Sequence, residues 1–221
     1  MSDCCTPRGY RQMFSERSAR GAAARYRKRG LDGVSRRVVN LLIAEGVEGK
    51  SVLEVGGGVG AIQLELLRAG AATAVSIELT PTYEAAAAEL LAETGLGDRV
   101  ERRVIDFVEA GGEVAAADIV ILNRVVCCYP DMPRLVGTAA AHARSSLVMS
   151  FPKQRWWTRA VLAMGNLGFR LTRREFHVFL HSPARIRQAA EAHGLTVRSD
   201  RPGVFWEVLA AAGSAAGSAA G

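Results

Sequence analysis

The chain has 221 residues, of which 49% are hydrophobic and 23% are charged, and its formal net charge is +6. These values are ordinary for one globular domain with a full core. No apolar run reaches the roughly 18 residues of a membrane-spanning helix, and the N-terminus lacks the apolar core of a secretory signal. We therefore predict a cytoplasmic protein.

The positive charge is concentrated in two blocks. Residues 1–37 and residues 153–187 each carry a net charge of +7, whereas residues 38–152 carry −7. Two interpretations stay open: the blocks are solvated helical surfaces, or both lie against an anionic partner. The second interpretation makes an anionic ligand or surface the expected partner.

The N-terminal part of the chain is predicted to be helical. Residues 10–46 favour two helices separated near "RGLDG", with Asp32 or Ser35 as the cap of the second helix. We interpret residues 1–37 as a basic helical extension, or lid, in front of a domain that spans residues 38–210. The apolar positions of the second helix include Val38, Val39, Leu42 and Ile43.

Strands and helices alternate from residue 51 onward. This alternation is typical of a parallel sheet with helices on both faces. Thr80 is the predicted cap of the second helix in this series. The predicted strands cover residues 51–55, 73–79, 100–106, 117–123 and 145–151, and the predicted helices between them cover residues 61–70, 80–95 and 131–144.

The C-terminal part of the chain has a different pattern. Residues 152–176 carry a helical apolar pattern with two tryptophans, and residues 182–194 favour a helix capped by Ser182. The two stretches that follow, up to residue 210, are predicted to close the domain as a hairpin. The Ala/Gly/Ser repeat of residues 211–221 is predicted to be a flexible tail.

The stretch "SVLEVGGGVGAIQLELLRAG" places Gly56, Gly57, Gly58 and Gly60 between a predicted strand and a predicted helix. Glycines let the backbone approach a ligand closely, and the N-terminus of the following helix presents free N–H groups. The spacing G-x-G-x-x-A also fits the dinucleotide-binding fingerprint, which by itself is a weak signal. The turn therefore predicts a ligand site without choosing the ligand.

Glu54 distinguishes between two kinds of ligand. It lies two residues before the first glycine, on a strand that is otherwise apolar. A carboxylate there would repel the pyrophosphate of a dinucleotide, which disfavours a nicotinamide dehydrogenase, but it would attract a cationic amino acid. S-adenosylmethionine carries an ammonium group and a sulfonium, so it is the favoured cofactor.

The stretch "LEVGGGVG" resembles the first motif of class I S-adenosylmethionine-dependent methyltransferases, and it matches at Glu54, Gly56, Gly58 and Gly60. The resemblance implies an α/β fold: a Rossmann-like, doubly wound, seven-stranded, mostly parallel sheet with helices on both faces and an antiparallel C-terminal hairpin strand. It also implies that residues 38–210 form the methyltransferase domain, with residues 152–181 as a substrate-side insertion.

The same resemblance implies roles for residues at the strand ends. Glu78, beside Leu79, would hold the ribose hydroxyls, Asp106 and Phe107 would contact the adenine, and Asn123 would lie near the methionine end. A helix cap for Glu78 and plain turn roles for Asp106 and Asn123 stay open. The predicted cofactor site thus comprises Glu54, Gly56, Gly57, Gly58, Gly60, Glu78, Leu79, Asp106, Phe107 and Asn123.

The stretch "VVCCYPD" places Cys127 and Cys128 where two histidines are common in this family. We predict that both line the methyl-transfer pocket as small, semi-apolar side chains. Together with Cys4 and Cys5 they lack the spacing of a zinc site, so no metal is predicted, and convergence of all four thiolates is the alternative.

The segment after the fifth predicted strand is apolar apart from one polar stripe, which on a helix joins Arg155, Arg159, Asn166 and Arg170. Three interpretations stay open. The segment is a helix packed on the sheet, a lid over a large apolar acceptor, or an interfacial helix on an anionic membrane. For the lid, Arg155, Trp156 and Arg159 are predicted to line the substrate pocket.

We predict a small-molecule methyltransferase that acts by direct transfer on a small, apolar and anionic acceptor. Its C-terminal half loosely resembles magnesium-protoporphyrin and quinone methyltransferases. Tyr10, Tyr129 and His181 are the candidates for a catalytic base, where one is needed. No DNA partner is expected, and the protein is expected to be a monomer or homodimer. The alternatives are an RNA methyltransferase that uses the basic blocks and a non-catalytic cofactor-binding or membrane-associated module.

Overall fold

The computed structural model of the protein describes residues 7–213, with the side chains of residues 8–198 and 203–213. Its strands are β1 (Ser51–Val55), β2 (Thr73–Glu78), β3 (Val100–Val104), β4 (Ala117–Asn123), β5 (Ala143–Pro152), β6 (Leu195–Pro202) and β7 (Trp206–Gly213). Its α-helices are α1 (Pro7–Met13), α2 (Glu16–Arg29), α3 (Gly33–Ala44), α4 (Ala61–Arg68), α5 (Glu84–Thr94), α6 (Met132–His142), α7 (Trp156–Leu171) and α8 (Pro183–Glu191).

The seven strands form one sheet in the order β3-β2-β1-β4-β5-β7-β6. Strands β1 to β5 pair in parallel, whereas β7 runs antiparallel to both β5 and β6. The predicted fold class is therefore confirmed. The strand order reverses between β1 and β4, and in such sheets a ligand crevice opens at this position, beyond the carboxyl ends of the strands.

The central strands are buried on both faces because helices cover the sheet from both sides. In β4, Ile119 and Ile121 contact one apolar cluster together with α3 and α4, while Val120 and Leu122 contact another together with α6 and α8. Successive side chains of a strand point to opposite faces, so a continuous apolar run fits this position. Residues 117–123 therefore have the continuous apolar sequence that predicts a buried strand.

The N-terminal helices follow the prediction with one additional break. The chain breaks at Phe14–Ser15 as well as near "RGLDG", because Ser15 caps α2 by accepting the N–H of Ser18. Asp32 caps α3 by accepting from the N–H groups of Val34 and Ser35. Of the apolar positions named in this helix, Val38, Val39 and Leu42 are buried, whereas α3 turns Ile43 to solvent at 45% exposure.

Two local details differ from the sequence-based expectation. A 3-10 turn, Pro81–Tyr83, precedes α5, and the Thr80 hydroxyl pairs with the hydroxyl of Thr82 instead of capping a helix. Residues 211–213 do not belong to a tail, because β7 continues through Gly213 and buries Ala211 against β5. The rest of the predicted tail lies outside the described residues.

The predicted boundary between residues 37 and 38 falls inside α3. Val34 lies in the same apolar cluster as Val38, so α3 packs as part of the main domain.

Candidate active site

A cavity of about 320 Å³ opens at the carboxyl ends of β1, β2 and β4. This volume lies at the lower end of the range of about 300–1,000 Å³ that is usual for small-molecule sites. Its floor is the glycine turn after β1, and its opposite wall comes from α1, α2 and the start of α3. Residues that lie far apart in sequence therefore meet around one ligand position.

The glycine turn has a conformation that other residues would resist. Gly58 has a φ of 62°, in the left-handed region that favours glycine. A Cβ added to Gly57 would lie 2.6 Å from the carboxylate of Glu54. The backbone of the turn can thus approach a ligand closely, and the carboxylate of Glu54 lies directly beneath the turn.

Glu54 is a buried acid with unused hydrogen-bonding capacity. Its side chain is 1% exposed, and among the described residues its Oε2 has no hydrogen-bond partner. Burial raises the pKa of Glu54 to about 7, although the nearby Arg102 opposes the shift. A buried carboxyl of this kind gains from a cationic partner.

Glu78 lies on the neighbouring strand end. One of its carboxyl oxygens accepts the N–H of Gly58 at 2.5 Å, and burial raises its pKa to about 8. The cavity is thus bordered by two buried carboxyls that are only partly ionised at neutral pH without a ligand. A ligand that offers a cation and hydroxyl donors would favour the ionised form of both.

The structure brings the predicted cofactor residues together, with one exception. Gly60 is not among the lining residues, because it serves as the N-terminal cap of α4 behind the turn. The residues that do line the cavity are Glu54, Gly56, Gly57, Gly58, Glu78, Leu79, Asp106, Phe107 and Asn123.

Asp106 and Asn123 also have local structural bonds. A carboxyl oxygen of Asp106 accepts the N–H of Val108 at 2.9 Å, which stabilises the turn after β3. The amide of Asn123 donates to the hydroxyl of Ser35 and accepts from the hydroxyl of Ser150. Both residues therefore have the structural role in a turn that the sequence left open, and both also line the cavity.

The three candidate bases occupy different positions. Tyr10 and Tyr129 line the cavity, whereas His181 lies behind Tyr129, with its Nε2 3.1 Å from the Tyr129 carbonyl oxygen. The hydroxyl of Tyr10 donates to the carbonyl of Cys128. Burial raises the pKa of Tyr129 to about 12 and lowers the pKa of His181. Tyr129 is therefore protonated at neutral pH.

The predicted substrate-pocket residues separate into two groups. Cys128 lines the cavity, and Cys127 is buried behind it with its Sγ 3.7 Å from the Sγ of Cys128. Trp156 and Arg159 of α7, and Arg155 at its N-cap, are not among the lining residues, because α7 packs through a different face. Cys4 and Cys5 lie outside the described residues, and residues 7–213 contain no cluster suited to a metal ion.

Helix α2 contributes a wall that the sequence did not identify. Tyr26 lines the cavity, and its hydroxyl donates to Glu65 of α4 at 2.5 Å and accepts from Arg68 at 2.8 Å. Beside it, Arg27 pairs with Glu93 of α5 at 2.6 Å. Part of the N-terminal positive charge therefore pairs with the acidic middle of the same chain, and the opposite charges of the two segments were the signal for this contact.

Arg124 is a second residue that the sequence did not identify. It follows β4, and its backbone φ of 62° is uncommon for a residue other than glycine. Its guanidinium pairs with Asp32 and lies 5.3 Å from the ring centre of Trp206, and both Arg124 and Asp32 line the cavity. Strained residues of this kind cluster at functional sites.

Arg102 supports the glycine turn from below. Its side chain is 9% exposed, pairs with Glu84 at 2.8 Å and donates to the carbonyl of Gly58 at 3.0 Å. Replacing it with methionine is expected to lower the free energy of unfolding by about 1.5–3 kcal/mol, since bonds to a charged group are lost and polar partners stay behind. Denaturant unfolding measures this change.

The neighbouring Arg103 provides a matched control for Arg102→Met. Its side chain is 27% exposed and reaches Glu113 at 3.6 Å, so Arg103→Met is expected to change the unfolding free energy by less than about 1 kcal/mol. Equal effects of the two substitutions would contradict a specific role of Arg102 under the turn.

The fold and the cavity together define an α/β protein with a ligand site at the switch point of its sheet, built around a glycine turn and two buried carboxyls. A family model for the methyltransferase domain matches residues 23–200. The chain therefore belongs to the methyltransferase-domain family, and it is an S-adenosylmethionine-dependent methyltransferase. No curated protein matches the sequence.

Solved structures share this fold. Magnesium protoporphyrin IX methyltransferase from Synechocystis PCC 6803, with bound S-adenosylhomocysteine, matches with a TM-score of 0.68 and 21% identity, over 81% of this chain and 82% of that one. An O-methyltransferase family protein from Burkholderia thailandensis matches with a TM-score of 0.68 and 22% identity, over 92% of this chain and 64% of that one. This chain therefore spans less than two thirds of the second protein.

A family 2 O-methyltransferase from Planctomyces limnophilus, in complex with apigenin, gives a similar result. It has a TM-score of 0.68 and 21% identity, over 90% of this chain and 62% of that one. At these sequence identities, the structural similarity shows the fold alone. The acceptor therefore has to be inferred from the residues of this chain.

Proposed function

We propose that this methyltransferase acts on a small, apolar, anionic acceptor in the cytoplasm, as a monomer or homodimer and with a peripheral membrane contact. The observation that carries the proposal is a single cavity with two chemically different ends. We assign Glu54 and Glu78, beside the glycine turn, to one end, and the aromatic side chains of Tyr10 in α1 and of Phe14 directly after it to the other. One end suits a cationic cofactor and the other suits an apolar acceptor.

The cofactor end fits S-adenosylmethionine by the chemistry of its residues. The unpartnered, buried Oε2 of Glu54 is suited to the ammonium group, and Glu78 has a second oxygen available for the ribose hydroxyls while the first holds Gly58. Leu79, Asp106 and Phe107 would border the adenine. When bound, S-adenosylmethionine supplies the methyl group for a direct displacement, so the main task of the protein is alignment.

The acceptor end is apolar, and arginines are among the residues that line the same cavity. Tyr10, Phe14 and Cys128 line it, and the rings of Tyr10 and Phe14 pack against Phe176 with centroids 5.7 and 5.6 Å away. Arg25 lies among the residues that line the same cavity. A flat, apolar molecule with a negative group matches this combination.

The protonation states favour a particular kind of nucleophile. Tyr129 holds its proton at neutral pH because burial raises its pKa, and His181 is not among the lining residues. The site therefore suits an acceptor atom that is already ionised, such as a carboxylate oxygen, and it has no need of a strong base.

The experiment that tests this function is a transfer assay with methyl-labelled S-adenosylmethionine. Aromatic carboxylic acids and their matched primary amides are offered in parallel, together with bulk RNA. We expect label in the carboxylic acids as a base-labile ester, and no label in the amides. Label in RNA alone, or equal label in acids and amides, would contradict the proposed acceptor class.

A further inference from the structure

Helix α7 presents a stripe of large apolar side chains to solvent. Over its 16 residues, the helical periodicity places this stripe on one side. Singly exposed apolar residues are normal on a protein surface, but a continuous stripe of this size marks an interaction site. Its members are Trp156, Met164, Leu167 and Leu171, with exposed fractions between 50% and 81%.

The stripe is exposed because the opposite side of α7 is the anchored one. Thr158 is fully buried, and the amide of Asn166 bonds to both the N–H and the carbonyl of Val178 at 2.9 Å. The rings of Phe169 and Phe176 pack with centroids 5.7 Å apart. The helix is therefore held in a fixed orientation, and the apolar stripe is a stable feature of the surface.

The surroundings of the stripe are strongly basic. Residues 153–174 contain six lysines and arginines and no aspartate or glutamate. Arg159 and Arg170, both exposed, lie beside the stripe on the helix. An apolar stripe with tryptophan at one end and flanking arginines is the pattern of a helix that lies in the plane of a membrane interface.

We propose that α7 docks this protein onto an anionic lipid bilayer, with its apolar stripe in the outer part of the acyl region and its arginines on the lipid headgroups. The negative charge of such a surface complements the acid-free basic segment. A second copy of the chain fits less well, because twofold pairing of α7 would bring two basic segments together. Within residues 7–213, no helix is long and apolar enough to cross a membrane.

The docking surface adjoins the cavity. Phe176, which packs on α7, also packs on Tyr10 of the cavity wall, and Gly9 of α1 approaches the chain at Glu175 so closely that a Cβ would lie 1.7 Å from its carbonyl oxygen. An apolar acceptor dissolved in the bilayer would thus meet the cavity at the membrane surface. This last step rests on the acceptor class of the proposed function, whereas the docking itself does not.

The test is sedimentation of the full chain with vesicles. Vesicles of phosphatidylcholine are compared with vesicles that contain phosphatidylglycerol, at low and at high salt. We expect binding to the anionic vesicles that weakens with salt. Met164→Asp/Leu171→Asp is expected to weaken it by at least tenfold, and Arg170→Gln/Arg174→Gln by roughly fivefold for each arginine. Both pairs are exposed, so folding should persist.

Val204→Asp is the matched control, because Val204 is a similarly exposed apolar residue outside α7. It should bind the anionic vesicles like the unchanged protein. Equal binding by Met164→Asp/Leu171→Asp, or no binding to anionic vesicles at low salt, would overturn the proposal. So would a dimer in sedimentation velocity that the same double variant abolishes.

A vesicle-free calorimetric titration with S-adenosylhomocysteine separates this inference from the proposed function. The α7 variants should bind it like the unchanged protein, since their residues are not among those that line the cavity. Vesicle binding without cofactor binding would contradict the proposed methyl-transfer activity alone, and cofactor binding without vesicle binding would contradict the membrane contact alone.

Discussion

Replacing Glu54 with glutamine is expected to weaken the binding of S-adenosylhomocysteine by roughly 10- to 150-fold, about 1.5–3 kcal/mol, while the protein stays at least as stable as before. The affinity falls because the buried oxygen that suits the ammonium group loses its charge. The stability is retained because a neutral amide carries no ionisation penalty in a fully buried position. Calorimetry and denaturant unfolding measure the two quantities.

The affinity for S-adenosylhomocysteine is also expected to depend on pH in a definite direction. Burial raises the pKa of Glu54 to about 7 and that of Glu78 to about 8, and a bound cation favours the ionised forms, so binding releases protons. The affinity of the unchanged protein is therefore expected to rise between pH 6 and pH 8, and the rise should be smaller in Glu54→Gln. An affinity that is independent of pH would contradict the role of Glu54.

The free energy of unfolding should follow the opposite direction. A carboxyl whose folded pKa lies above its unfolded value of about 4.5 stabilises the folded state below that value. This contribution is lost as the pH rises through about 7 for Glu54. Glu54→Gln lacks this loss, so its advantage in stability should grow between pH 5 and pH 8.

Replacing Glu78 with alanine is expected to weaken S-adenosylhomocysteine binding by roughly 10- to 150-fold, about 1.5–3 kcal/mol, because hydrogen bonds from the ribose to a charged acceptor are lost. Glu101, an exposed acid on the adjacent strand β3, is the matched control, and Glu101→Ala should leave the affinity unchanged. Calorimetric titration of both variants measures the difference.

Glu78→Gln distinguishes the cofactor role from a structural one. The glutamine oxygen can still accept the N–H of Gly58, which Glu78 accepts at 2.5 Å. If Glu78 serves the cofactor, Glu78→Gln should bind S-adenosylhomocysteine weakly and be at least as stable as the unchanged protein, because burial raises the pKa of Glu78 as it does that of Glu54. Full recovery of affinity in Glu78→Gln would mean that the residue only holds the turn.

The cofactor end of the cavity could be predicted from the sequence because its residues are neighbours along the chain. Glu54 and the glycines lie within seven residues, on a strand, a turn and a helix start that local propensity specifies. Glu78 follows from the end of the next strand. The fold was accessible for the same reason, since regular alternation of strands and helices leaves few possible topologies.

The opposite wall could not be predicted, because distant segments create it. Tyr26 reaches the cavity through its bonds to Glu65 and Arg68, and Arg124 takes its position from Asp32 and Trp206. None of these pairs has a spacing that marks it in the sequence. The opposite net charges of residues 1–37 and 38–152 do not place any particular side chain at the cavity.

Helix α7 illustrates what an amphipathic pattern leaves open. The periodicity identified a helix with an apolar side and a polar side, but it did not specify which of them the protein would bury. Asn166 decides the orientation, because its bonds to Val178 hold this one side chain of the polar stripe inward, while Arg159 and Arg170 stay exposed. Trp156 is consequently exposed on α7 and is not among the residues of the cavity.

The central claim is that the cavity over β1, β2 and β4 binds S-adenosylmethionine through Glu54 and Glu78. Its most direct test is a calorimetric titration of the unchanged protein with S-adenosylhomocysteine and, separately, with NAD. The account predicts a dissociation constant in the micromolar range for S-adenosylhomocysteine, about −8 kcal/mol, and much weaker binding of NAD, whose pyrophosphate Glu54 repels. Tighter binding of NAD would contradict the account.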